Sequence, residues 1–142
     1  MMFNVLVVDD SAVMRAMIIK TLRLSGVPLG EVFQAGHGAE ALEVLEENWV
    51  DLALVDINMP VMNGEELIDR VREQDETRDL AIIVVSTESS ETRIQKILGK
   101  GARFVHKPFT PEILHQTITE VTGVDNDWGS DVPAAAGGSL DF

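Results

Sequence analysis

Apolar and polar positions along this chain fall into blocks whose period switches in a regular way. Phe3-Asn4-Val5-Leu6-Val7-Val8 is a nearly continuous apolar run rich in valine, closed by Asp9-Asp10-Ser11, the pattern of a buried strand. AVMRAMIIKTLRLSG then brings helix formers and a stop at Gly26. The couplet recurs as EVFQA (31–35) with AEALEVLEEN (39–48), where Leu42, Leu45 and Trp49 fall at helical spacing, and as LALV (52–55) with GEELIDRVREQ (64–74). It recurs again as LAIIVVS (80–86) with SETRIQKILGKG (90–101), and as RFVH (103–106) with a helix that Thr110-Pro111-Glu112 opens and that runs to about Thr122.

Five strands, each followed by a helix, predict an α/β fold: a doubly wound, five-stranded parallel sheet with helices on both faces. The unbroken apolar strands favour that layout over an antiparallel one, and LAIIVVS, the most apolar, is expected to be central and covered on both sides. From Gly123 the pattern stops. GVDNDWGSDVPAAAGGSLDF holds four acids, no bases, one proline and four glycines. The expected division is therefore one domain over residues 1–122 and an acidic, flexible tail over 123–142.

Composition narrows the functional classes. The chain of 142 residues is 45% hydrophobic and lacks cysteine, which excludes disulfides and thiolate zinc sites. No apolar run approaches the ~18 residues of a membrane helix, and Met1-Met2-Phe3-Asn4 lacks the basic start of a signal peptide; a cytoplasmic protein is expected. With 24 acidic against 11 basic side chains, net −13, the chain is repelled by phosphate backbones, so nucleic acid is not an expected partner. The bases are unevenly placed. Arg93, Lys96, Lys100, Arg103 and Lys107 face only Glu88 and Glu91 between residues 88 and 107, which makes that segment a candidate surface for an acidic partner.

In sheets of this kind ligands sit beyond the carboxyl ends of the strands. There the chain places Asp9 and Asp10 after the first strand, Asp56 after the third, Ser86 and Thr87 at the fourth and Lys107 after the fifth; the second ends in a glycine turn. Any one of these has an ordinary structural role, as a cap or an exposed base, and the convergence carries the information. Three carboxylates brought together repel and raise one another's pKa. A hard cation such as Mg²⁺, with its oxygen ligands, relieves this. Lys107 and a Ser86 hydroxyl then suit a phosphate-like dianion, and a carboxylate so placed can itself be a nucleophile.

The motifs VVDDSAVMR (7–15), LVDINMPVMNGEEL (54–67), VVSTES (84–89) and ARFVHKPF (102–109) resemble, in order and spacing, those of response-regulator receiver domains in the CheY-like, stand-alone layout. The resemblance spans residues 3–122. It implies the flavodoxin-like strand order 2-1-3-4-5. It also implies that Asp56 is the phosphoacceptor served by a sensor histidine kinase, and that Asp9, Asp10, Asp56 and the backbone carbonyl of Asn58 hold Mg²⁺. Ser86 is then the switch hydroxyl, Lys107 the cation on the phosphoryl group, and Phe104 the switch aromatic, here without the hydroxyl of a tyrosine. Asn58 and Glu88, each two residues beyond a site residue, match the positions that tune phosphoryl lifetime and imply a brief signal. The implied output is altered contact with a downstream protein on the face of the fourth helix, fifth strand and fifth helix, by analogy in chemotaxis.

Two rival readings remain: a binding module that keeps the fold but works without phosphate, and a phosphohydrolase with an aspartyl nucleophile. The second usually needs an acid where Asn58 stands. His106 occupies a position usually apolar in the family and is expected to point away from the rim. His37 and His115 read as surface residues, and Gly36-His37-Gly38 is not a dinucleotide fingerprint. Trp128, Leu140 and Phe142 in the acidic tail suggest that the tail docks on the basic fourth-helix face.

Overall fold

The computed structural model describes residues 2–59 and 62–123, so residues 1, 60–61 and 124–142, including the tail's proposed docking, lie outside the described residues. Ten elements follow in strict alternation: β1 (Phe3–Val8), α1 (Ala12–Leu24), β2 (Leu29–Ala35), α2 (Gly38–Glu47), β3 (Leu52–Val55), α3 (Gly64–Glu73), β4 (Ala81–Ser86), α4 (Glu91–Gly99), β5 (Arg103–His106) and α5 (Pro111–Thr122). All strand pairs are parallel, and the sheet order is β2-β1-β3-β4-β5, the flavodoxin-like order.

Side chains alternate across each strand, so the sheet separates two apolar layers. Leu6, Val8, Ala53, Val55, Ile82 and Val84 pack with Ala41, Leu67, Ile68 and Ile97 under α2, α3 and α4. Val5, Val7, Leu52, Leu54, Ile83 and Val85 pack with Ile18, Leu22, Leu114 and Ile118 under α1 and α5. Every residue of β3 is buried, and at about 1.5–3 kcal/mol per fully buried aliphatic side chain this strand is a main source of stability. It is also the middle strand. LAIIVVS, expected to be central, is covered on both faces but sits one place from the β5 edge.

Local chemistry sets the helix starts. Ser11, His37, Asn63, Ser90 and Thr110 each accept a backbone N–H of the first turn, and Asn63 and Glu66 form a reciprocal capping box before α3. No described helix is long and apolar enough to cross a membrane.

Three expectations need correction, and a fourth residue, His37, gains a role. β2 begins at Leu29 rather than Glu31, because Gly30 leaves room for Asn4, whose Oδ1 accepts the Glu31 N–H at 2.9 Å where the β1–β2 register is irregular. Trp49 lies past the end of α2 and is 75% exposed, its Nε1 donating to Asp51 Oδ1 at 2.9 Å. His37 is exposed but caps α2 through Nδ1. His115 is only half-exposed: its Nδ1 lies 2.8 Å from the Ser25 carbonyl, tying α5 to the end of α1.

Candidate functional site

Strand register brings the polar residues together. Val8 pairs with Val55, so the next residues, Asp9 and Asp56, leave the sheet side by side. The Asp56 N–H donates to Val8 O at 2.9 Å, and the Asp9 N–H to Ala35 O at 3.1 Å, which fixes both backbones at the sheet's end. On the other side Ser86 pairs with His106, and the Lys107 N–H donates to Ser86 O at 2.9 Å. The Lys107–Pro108 peptide bond is cis.

Carboxylate oxygens of Asp9, Asp10 and Asp56 lie within 4.8 Å of one another. Asp9 and Asp56 are buried and Asp10 is exposed. Lys107 Nζ lies 3.5 Å from Asp9 Oδ2. Asp9 Oδ1 accepts the Ser11 N–H at 2.9 Å, and Asp56 Oδ1 accepts the Asn58 N–H at 3.4 Å. Burial raises the Asp56 pKa above its ordinary value. Lys107 and the Asn58 amide oppose this, while Asp9 and Asp10 add to it. One lysine against three carboxylates leaves the cluster with excess negative charge. An all-oxygen donor set with that excess fits a hard divalent cation such as Mg²⁺.

Ser86 is buried, with its Oγ accepting the Glu88 N–H at 3.1 Å. Phe104 pairs with Val84 across β4 and β5 and packs, half-buried, against the α2–α4 layer. His106 is exposed on β5, its ring edge-on to Phe104 at 5.1 Å. Asn58 is exposed. Glu88 is held: its carboxylate accepts the Ser90 N–H at 3.0 Å and Arg93 Nη1 at 3.1 Å, and its pKa is lowered, first by the Ser90 amide.

Three features escape sequence reasoning. Arg15 Nη1 donates to Asp9 O at 2.6 Å while its Nε donates to Gln34 Oε1 at 3.0 Å, clamping the backbone of the first rim residue. Arg15 lies inside the VVDDSAVMR motif, and its place one helical turn after Ser11 is the only hint of this. Gly64 abuts the Asp56–Ile57 backbone so closely that a Cβ would lie 2.6 Å from Asp56 O.

The third is the fate of the basic segment. Arg93 Nε donates to Glu65 Oε1 at 2.9 Å, Lys100 Nζ to Asp69 Oδ1 at 2.6 Å, and Lys107 turns to the rim. Glu65 and Asp69 come from α3, so of the segment's five bases only Lys96 and Arg103 stay exposed without an ion pair among the described residues. The surface is thus far less positive than the linear count suggests.

Residues 5–119 match the family model of the response regulator receiver domain. The chain is 38% identical over 129 residues to a chemotaxis protein CheY homolog of Campylobacter jejuni, covering 89% of this chain and 98% of that protein. It is 39% identical over 120 residues to the two-component response regulator ORR3 of Oryza sativa, covering 83% of this chain and 89% of that protein. The crystallised chemotaxis protein CheY4 of Vibrio cholerae superposes with a TM-score of 0.75 at 38% identity, covering 85% of this chain and 99% of that one.

Proposed function

Because the chain belongs to the response-regulator receiver family, we propose that it is a phosphorylation-switched signalling protein whose phosphoacceptor is Asp56. The observation that carries this reading is the cluster of Asp9, Asp10 and Asp56 carboxylates within 4.8 Å, with Lys107 beside it. An Asp56 oxygen attacks the phosphorus of a phosphohistidine on a sensor histidine kinase; the P–N bond breaks and the imidazole keeps the electron pair. Asp9, Asp10, Asp56 and the Asn58 carbonyl would hold Mg²⁺, which would supply neutralisation of the phosphoryl group's negative charge.

The remaining work falls to the chain itself. Lys107 offers a cation to the phosphoryl group, and the Asn58 amide, already on Asp56 Oδ1, helps fix the carboxylate. Phosphorylation adds about −1.5 to −2 charge at the rim. Ser86 Oγ turns its hydroxyl toward that charge and releases the Glu88 N–H, and the vacated space admits Phe104. The rearrangement alters the α4–β5–α5 face that a downstream protein reads. Asn58 and Glu88 set the phosphoryl lifetime, which is short, and the receiver unit of residues 1–122 works in the cytoplasm with 123–142 as its acidic tail. The chemotaxis assignment follows the bacterial relatives; the plant relative shares the receiver pattern under a different name.

The test is incubation with Mg²⁺ and acetyl phosphate, followed by intact mass. The expected outcome is a phosphoryl adduct in the wild type that is absent in Asp56→Asn and without Mg²⁺. No adduct in the wild type overturns the reading. Catalytic turnover of phosphoesters would favour a hydrolase instead.

A further inference from the structure

A groove of about 700 Å³ opens at the end of the sheet opposite the phosphorylation rim, between the end of α2 and the α3–β4 connection. Its apolar lining comes from Leu45, Val50 and Leu80, and Trp49 stands beside them with three quarters of its surface exposed. The indole is not loose. Its Nε1 donates to Asp51 Oδ1, whose other oxygen accepts the Asn4 N–H at 2.9 Å, so the ring is fixed at its edge and free on its surface.

The rest of the lining is acidic. Glu46, Glu47, Glu76 and Asp79 are exposed, and none forms an ion pair among the described residues. Asp75 pairs with Arg78. The nearby Arg72 donates its guanidinium hydrogens to the carbonyls of Arg78, Leu80 and Lys100; of the groove's carboxylates only Asp79 interacts with its charge, and without an ion pair. No lining residue is basic.

From this charge complementarity we infer that the groove docks an arginine- or lysine-rich segment of a partner protein, with one cationic side chain stacked on the Trp49 ring. An apolar groove accepts the stems of long basic side chains, the carboxylates meet their heads, and a tethered indole offers a cation a ready π face. A hard metal ion would have no use for the apolar lining or the indole. Because the groove lies at the far end of the sheet from Asp56, it is available in either phosphorylation state.

The test uses the full chain carrying Trp128→Phe, which leaves Trp49 as the one tryptophan of two. A short arginine–glycine repeat peptide is titrated at low salt while Trp49 emission and backbone amide shifts are recorded. Saturable emission change is expected, with shifts at residues 45–51 and 75–80. Glu46→Lys with Glu76→Lys weakens binding by roughly tenfold, and Trp49→Ala by about threefold. Glu112→Lys with Glu120→Lys, an equal charge change on α5, leaves affinity within about twofold. The inference is overturned if both charge pairs weaken binding equally, which means diffuse attraction to an acidic chain. It is also overturned if no saturable change occurs, or if millimolar Mg²⁺ alone reproduces the Trp49 response. Asp56→Asn is expected to bind the peptide as the wild type does, so this result is independent of phosphoryl transfer.

Discussion

Lys107 Nζ lies 3.5 Å from Asp9 Oδ2, joining the last strand to the first across the rim, and both side chains are largely withdrawn from solvent. Removing the cation strands a buried carboxylate beside two others. Lys107→Met is expected to destabilise the protein by about 2 kcal/mol in chelator, because a buried charge left without its partner costs more than the pair contributed. Urea unfolding monitored by circular dichroism measures this; equal midpoints for the two proteins would show that Asp9 needs no counter-charge.

Asp56 should be a stability liability when ionised. Its folded-state pKa is raised, chiefly by burial. A raised pKa contributes stability that is complete below the unfolded value of about 3.9 and is lost as pH rises through the folded value. Asp56→Asn, which never ionises, is therefore expected to melt at a higher temperature than wild type at pH 7 without Mg²⁺. The gap should narrow steadily as pH falls toward about 4. A gap that widened on acidification would reverse the assigned sign.

Gly64 is expected to tolerate no side chain. A Cβ would meet the Asp56 carbonyl at 2.6 Å and Ile57 Cα at 2.7 Å, both backbone atoms with little room to give. Gly64→Ala should cost about 1–3 kcal/mol by overpacking and displace the Asp56–Ile57 segment. Denaturant midpoints report the first effect and amide shifts of residues 55–58 the second. Unchanged shifts would mean that α3 moves instead.

Arg93 couples two acids, and its own pKa is raised, first by the hydrogen bond to Glu65. Arg93→Ala frees Glu88 from one of the groups that hold it. Since the pairs are partly exposed, stability should fall by no more than about 1 kcal/mol. The phosphoryl lifetime should shorten, because the freed carboxylate can orient an attacking water. Dephosphorylation followed by loss of adduct mass decides it, and a lengthened lifetime would place Glu88 outside the hydrolytic route.

Much of the fold was legible because its information is local. Apolar runs such as Val5–Val8 and Leu52–Val55 end in carboxylates, and parallel strands put those ends on one side. The edge strand was harder to read: Gly30 looks like a break, and only the Asn4 side chain folding over it shows otherwise. The basic segment misled for a related reason. Arg93 and Lys100 find their partners on α3, 28 and 31 residues away, which linear charge counting does not register. Arg15 was missed because its acceptor is a backbone carbonyl, and no residue type marks one. Trp49 continued a helical spacing past the point where the helix had ended.

The pairing of Val8 with Val55 makes the sheet a vernier for the rim. One residue inserted into β1 or β3 slides a carboxylate by about 3.3 Å and turns it to the opposite side of the sheet. Loops at the far end can lengthen without consequence for that alignment. Chimeras built from related chains should therefore be joined in the helix-to-strand connections and never within a strand, where even a seamless hydrophobic junction would leave the acids out of step.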